Sequence, residues 1–90
     1  MKLIINIADN KVKAVLEDKN GIIDEEAFDL DNNLSEKLLP TIDKLLKRHK
    51  LEPAYLERAE LEANLPDSYT TYRIAKAVVD GLNWGKNIKT

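Results

Sequence analysis

Two turn signals in the first part of the chain limit its fold more than any other feature. Asp9-Asn10 separates the apolar segment Leu3–Ala8 from Lys11–Glu17, and Asp18–Gly21 separates the latter from Ile22–Phe28. Asn-Gly tolerates the positive φ of tight hairpin turns, and the flanking segments are rich in β-branched or alternating residues. The sequence therefore predicts three strands joined as an antiparallel meander.

The next pattern has helical spacing. Asn33 and Glu36 are spaced as a capping box, which predicts a helix over Asn33–His49. Pro40 falls inside this helix, where it removes one backbone hydrogen bond and is expected to produce a kink. The apolar residues of the helix recur every three or four positions: Leu38, Leu39, Ile42, Leu45 and Leu46.

The last third of the chain predicts a fourth strand and a second helix. Ala59–Ala63 alternates strictly, so we expect a strand with one face in water. Thr70–Trp84 has an apolar face at helical spacing, and Gly85 occupies the position expected of a C-terminal cap. Gly81 is unfavourable inside a helix, so close approach of another backbone is its expected role.

Composition excludes several classes of function. The 90 residues predict one small domain, 1–90, and 43% hydrophobic with 33% charged residues is typical of a soluble globular protein. A net charge of −2 gives no reason to expect nucleic acid or an anionic membrane as a direct partner. No cysteine is present, which excludes disulfides and thiolate chemistry. The apolar run at the start is too short for a signal peptide, so a cytoplasmic location is expected.

No constellation of reactive residues predicts catalysis. His49 is the only histidine, and one histidine cannot form a His-pair metal site, so a solvated or capping role is expected. The acidic run Asp24–Glu26 is typical of a strand face in water. Ser68 and Thr70 fit helix caps better than nucleophiles, and Arg73 fits a surface ion pair better than a phosphate ligand. We therefore expect no catalytic, cofactor-binding or metal-binding residue.

Four segments, in order along the chain, resemble the YeaZ/TsaB family. Ile5–Ala8 and Lys13–Leu16 correspond to the family motifs I-D-T-S and S-V-A-L. Ser35–Leu46 is similar to the family motif H-S-E-x-L-L-P-x-I-x-x-L-L, including the proline, with Leu34 at the position of the histidine. Leu65–Ile74 resembles the loop and helix G-P-G-S-F-T-G-x-R-I, without its three glycines. Asn6 stands at the acidic position of the first motif, so the resemblance does not extend to the phosphate and metal ligands of actin-like ATPases.

The resemblance implies a fold and a function. It implies an α/β fold of order βββαβα, with about four strands in a small mixed sheet and two helices on one face. This is the ribonuclease H-like half of an actin-like ATPase domain, matching the N-terminal half of a family member. It also implies a noncatalytic scaffold that pairs through its two helices with a TsaD-like enzyme, which makes threonylcarbamoyladenosine (t6A) in transfer RNA. Without that partner, a homodimer is expected. The expected interface residues are Leu39, Ile42, Tyr72, Val78, Gly81 and Trp84.

Two other interpretations stay open at this point. A metal-dependent nuclease or phosphotransferase on the same fold would need a carboxylate where Asn6 stands on the first strand. An orphan or engineered half-domain that only self-associates needs no natural partner.

Overall fold

A mixed sheet forms the centre of the molecule in the computed structural model, which describes residues 1–30, 34–64 and 69–88. Its strands are β1 (Lys2–Ala8), β2 (Lys11–Asp18), β3 (Gly21–Asp29) and β4 (Arg58–Ala63). The order across the sheet is β3-β2-β1-β4. β2 is antiparallel to both β1 and β3, whereas β4 is parallel to β1. The predicted meander and the predicted fourth strand are thus confirmed.

Two tight turns join the meander. Asp9 and Asn10 both have positive φ, 52° and 61°, as a two-residue hairpin turn that follows the right-handed twist of the strands requires. At the second turn Gly21 has φ 122°, and the Asn20 N–H donates to Asp18 Oδ1 at 2.7 Å. Residues with little steric penalty at positive φ therefore stand where the chain reverses.

Both helices pack on the same face of the sheet. The first, α1 (Leu34–Arg48), contacts β2 and β3, whereas the second, α2 (Thr70–Ile88), lies along β4 and beside α1. A short 3₁₀ turn, Pro53–Tyr55, precedes β4. The observed order βββαβα confirms the predicted α/β architecture.

Two predicted helix ends have different outcomes. The cap predicted at Gly85 is wrong, because α2 continues through that residue to Ile88. The predicted capping residues Asn33 and Ser68 lie outside the described residues.

The core lies between the helices and one face of the sheet. Alternate residues of β1 and β2 point toward the helices, as the two-residue period of a strand requires. The buried cluster contains Leu3, Ile5, Ile7, Val12, Ala14, Leu16, Leu34, Leu38, Ile42, Leu45, Leu46, Leu56, Ala59, Ala75 and Val79.

The opposite sheet face is largely charged. Lys2 Nζ lies 3.7 Å from Glu17 Oε1 and 3.4 Å from Glu60 Oε1, and Lys13 Nζ lies 4.0 Å from Glu25 Oε1. These cross-strand pairs surround a small apolar centre formed by Ile4 and Val15. Each of these ion pairs at the surface contributes at most about 1 kcal/mol to the free energy of unfolding. Their charged groups keep this face of the sheet hydrated.

Pro40 lies inside α1, as predicted. It has no N–H to donate to the carbonyl four residues earlier, and its side chain is exposed. We expect Pro40→Ala to keep or raise the free energy of unfolding, measured by urea denaturation. A loss greater than about 1 kcal/mol would show that the proline conformation itself stabilises the helix.

Candidate functional site

An apolar groove runs between the outer sides of α1 and α2. It is lined by Leu39, Ala77, Val78, Gly81 and Leu82 and has a volume of about 330 Å³. We call it the helix groove.

Helical periodicity explains why these residues reach the surface. Leu38 is fully buried against the sheet, and Leu39 is turned by about 100° from it around the helix axis, which leaves Leu39 52% exposed. On α2, Ala75 and Val79 are buried, while Val78 and Leu82 are half-buried beside them. The apolar surface of each helix is therefore wider than the part that packs in the core.

The α2 side of the helix groove contains small residues, which leave its backbone accessible. A Cβ placed on Gly81 would have no atom within 4 Å among the described residues, outside its own turn of the helix. Ala77 lies four residues earlier, on the same side of α2. A second helix can therefore approach this part of α2 closely.

The structure brings together only part of the predicted interface. Leu39, Val78 and Gly81 line the helix groove. Trp84 does not line it, but it is 68% exposed and follows Gly81 by three residues, one turn further along the same side of α2.

Two predicted interface residues lie elsewhere. Ile42 is 2% exposed and belongs to the core, so it does not line the helix groove. Tyr72 is half-buried and lines a separate groove beside β4, on the other side of α2.

Sequence reasoning missed Ala77 and Leu82 as groove residues. Leu82 belongs to the apolar face of α2 and lies at its boundary, where it is half-buried. Ala77 carried a usable signal, since small residues four positions apart share one helix side, as Ala77 and Gly81 do.

A charged cluster joins the end of α1 to β3. Arg48 Nε donates to Asp24 Oδ2 at 2.8 Å and Nη1 donates to Glu26 Oε2 at 2.7 Å, while His49 Nε2 lies 2.8 Å from Asp24 Oδ2. Asp24 and Glu26 are half-buried because they lie opposite Leu16 and Ala14, whose side chains face the helices. The predicted wet strand face is seen only in part, because Asp24 keeps 27% and Glu26 keeps 24% of the side chain exposed. His49 contacts the Asp24 carboxylate and is itself partly exposed.

These contacts change the acidity of the cluster. Hydrogen bonds from His49 and then from Arg48 lower the pKa of Asp24 from 3.8 to about 2. The Arg48 guanidinium also lowers the pKa of Glu26. Side chains at the end of α1 thus hold both carboxylates in their charged forms. These contacts anchor the end of α1 to β3.

We expect Asp24 to make stability depend on pH. Its pKa is lower in the folded chain, so its contribution is complete above pH 3.8 and is lost as the pH falls toward about 2. The difference in free energy of unfolding between the wild type and Asp24→Asn should therefore shrink over that interval, measured by urea denaturation at several pH values. Parallel curves for the two proteins would contradict the assigned contacts.

The end of β1 does not fit a nucleotide phosphate or its metal ion. Asn6 Nδ2 donates to Glu62 Oε1 at 3.4 Å, and Ile7 is buried in the core. Ala8 provides no side-chain oxygen. This strand end offers no carboxylate or hydroxyl of its own to a metal or phosphate group. Elsewhere in the described ranges, no group of three or more His, Asp or Glu side chains is arranged to hold a metal ion.

A direct titration tests this assignment. We expect isothermal calorimetry with Mg-ATP to give no saturable heat, because the side chains of Asn6, Ile7 and Ala8 do not form a phosphate site. A dissociation constant in the micromolar range would contradict it.

Neither helix, over its described residues, is long and apolar enough to cross a membrane.

Comparison with known proteins gives a fold relationship. No family model matches the sequence, and no curated protein matches it. The solved structures that match include YeaZ from Pseudomonas aeruginosa, and a protein described as uncharacterized with similarity to peptidase YEAZ from the same organism. Each has a TM-score of 0.80 and 19% identity, with 96% of this chain and 39% of the other chain covered. This chain therefore has the fold of one part of YeaZ.

Proposed function

We propose that the chain is a noncatalytic scaffold that binds another protein through the helix groove. The observation that carries this proposal is the groove itself, where Leu39 is 52% exposed beside the small residues Ala77 and Gly81. A partner that covers the groove would remove this apolar surface from water, which favours association.

The proposed partner is a TsaD-like enzyme, and the proposed process is formation of t6A in transfer RNA. The fold shared with YeaZ supports this proposal, as does the position of the groove on the two helices whose sequences resemble that family. The chain spans 39% of the YeaZ structure, so the contacts proposed here are those that α1 and α2 can make. Asn6, Ile7 and Ala8 offer no carboxylate or hydroxyl to a phosphate group, which is compatible with a partner role.

When the enzyme is absent, the proposed occupant of the helix groove is a second copy of the chain. Two copies related by a twofold axis would place both pairs of helices in one four-helix contact. This arrangement buries the same apolar residues, including Leu39, and adds to the limited core of a small domain.

The test of the heteromeric contact uses the TsaD-like enzyme of the native host, purified separately. We expect the tagged wild-type chain to retain that enzyme on a column, and Leu39→Asp to retain at least tenfold less, because the aspartate must lose its hydration in an apolar contact. Lys47→Asp, on the exposed part of α1, is the matched control and should behave as the wild type. Equal retention by the two variants would place the contact elsewhere. No retention by the wild type, with a dimer still present, would favour the self-associating interpretation.

A further inference from the structure

The outer edge of β4 is a second surface with an unusual arrangement of backbone groups. In the part of the chain that the structure describes, β4 is an edge strand, with β1 as its neighbour in the sheet. The Asn64 N–H donates to the Ile7 carbonyl, which directs the backbone groups of the even-numbered residues toward β1. The odd-numbered residues Ala59, Leu61 and Ala63 therefore direct their N–H and C=O groups away from the sheet.

One of these three residues is already paired by a side chain of α2. Asn83 Oδ1 accepts from the Ala59 N–H at 2.8 Å, and Asn83 Nδ2 donates to the Ala59 carbonyl at 3.0 Å. A carboxamide presents the same donor and acceptor as a peptide group, so Asn83 replaces one residue of a neighbouring strand. Leu61 and Ala63 have no strand neighbour on this side among the described residues.

Space for an extended segment exists beside this edge. A groove of about 400 Å³ lies between β4 and α2. The α2 residues that line it are Tyr72, Lys76, Val79, Asp80 and Asn83. A strand placed here would pair with Leu61 and Ala63 and would have one face against α2 and the other in line with the charged sheet face.

The glutamates of β4 determine which kind of strand can pair with its outer edge. If two copies of β4 paired antiparallel through their outward residues, each register that includes Leu61 would place Glu60 or Glu62 opposite another glutamate. Like charges directly opposite each other are destabilising, so a second copy of this strand is a poor occupant. The contact shown for Glu62 is the Asn6 amide at 3.4 Å, which leaves its carboxylate without a neutralising cation in the described structure.

We propose that the β4 edge accepts an extended segment of a different protein, with basic residues at alternate positions next to Glu62. Full pairing requires Asn83 to release Ala59, so the Asn83 carboxamide competes with the incoming strand. This surface lies on the other side of α2 from the helix groove, and the proposal does not depend on the scaffold function.

The probe is a fluorescent, end-capped peptide of alternating valine and lysine, seven residues long. We expect saturable binding, and we expect amide hydrogen exchange at Leu61 and Ala63 to slow by about tenfold in the complex. Asn83→Ala should bind about threefold more tightly, because it removes the competing closed state. Glu62→Gln, at an exposed position where folding is not at risk, should bind several-fold more weakly.

A peptide of alternating valine and glutamate is the matched control and should bind at least tenfold more weakly than the lysine peptide. The proposal is overturned if the lysine peptide fails to saturate both wild type and Asn83→Ala at about 1 mM, the weak end of specific binding. It is also overturned if both peptides bind equally, or if the protected amides lie in the helix groove.

Discussion

Leu38→Ala is expected to lower the free energy of unfolding by about 2–5 kcal/mol. Leu38 is fully buried in the middle of α1, within the core cluster between the helices and the sheet. Removal of its side chain loses the transfer free energy of the buried carbons and leaves a cavity. A small domain has a total stability of about 5–15 kcal/mol, so this one substitution removes a large part of it.

Leu39→Ala is the matched control for that measurement. The two leucines are adjacent on α1, yet Leu39 is 52% exposed and belongs to the helix groove. In dilute solution we expect its free energy of unfolding to change by only about 0.5 kcal/mol. Urea denaturation of both variants at low protein concentration separates the two roles. Equal losses for Leu38→Ala and Leu39→Ala would show that the helix is turned differently on the sheet.

Gly81→Leu is expected to prevent association through the helix groove while the single chain stays folded. The new side chain would fill the floor of the groove, where a Cβ on Gly81 meets no atom within 4 Å in the described structure. Leucine is also a better helix former than glycine, by about 0.5–1 kcal/mol. Stability of the monomer and strength of the dimer should therefore change in opposite directions.

Lys76→Leu adds the same side chain on another side of α2 and is the control for Gly81→Leu. Lys76 pairs with Asp80 at 2.9 Å and lines the groove beside β4, not the helix groove. We expect this variant to associate as the wild type does. If Lys76→Leu and Gly81→Leu weaken association equally, the effect comes from added hydrophobic surface and not from closure of the helix groove.

Local signals predicted most of the fold. The turns at Asp9-Asn10 and Asn20-Gly21 depend on backbone preferences of the residues themselves, so the meander was accessible from the sequence. The C-terminal end of α2 was not accessible from the sequence. Gly85 is compatible with a C-terminal cap, but the helix continues to Ile88.

The proposed binding surfaces were less accessible from the sequence, because they depend on how each helix is turned on the sheet. Ile42 and Leu39 share one apolar pattern, but only the packed structure shows that Ile42 is buried and Leu39 is not. The contact of Asn83 with Ala59 joins residues 24 positions apart and has no local signature. The pairing of Arg48 with Asp24 is of the same kind, since it depends on the register of β3 against β2.

Helix α2 takes part in both proposed surfaces. Gly81 lies in the helix groove, whereas Asn83 bonds to the edge of β4. Residues two positions apart on a helix point to different sides, so the two surfaces can be changed independently by substitution. Asn83→Ala should leave association through the helix groove unaffected, which separates failure of one proposal from failure of the other.

Sedimentation equilibrium of the purified wild-type chain, over a range up to high micromolar concentration, is the decisive experiment for the helix groove. We expect a reversible monomer–dimer equilibrium for the wild type, and a monomer throughout the range for Gly81→Leu. A wild type that stays monomeric at the highest concentration, or a Gly81→Leu variant that dimerises as strongly as the wild type, would contradict the claim that the helix groove is where this chain associates.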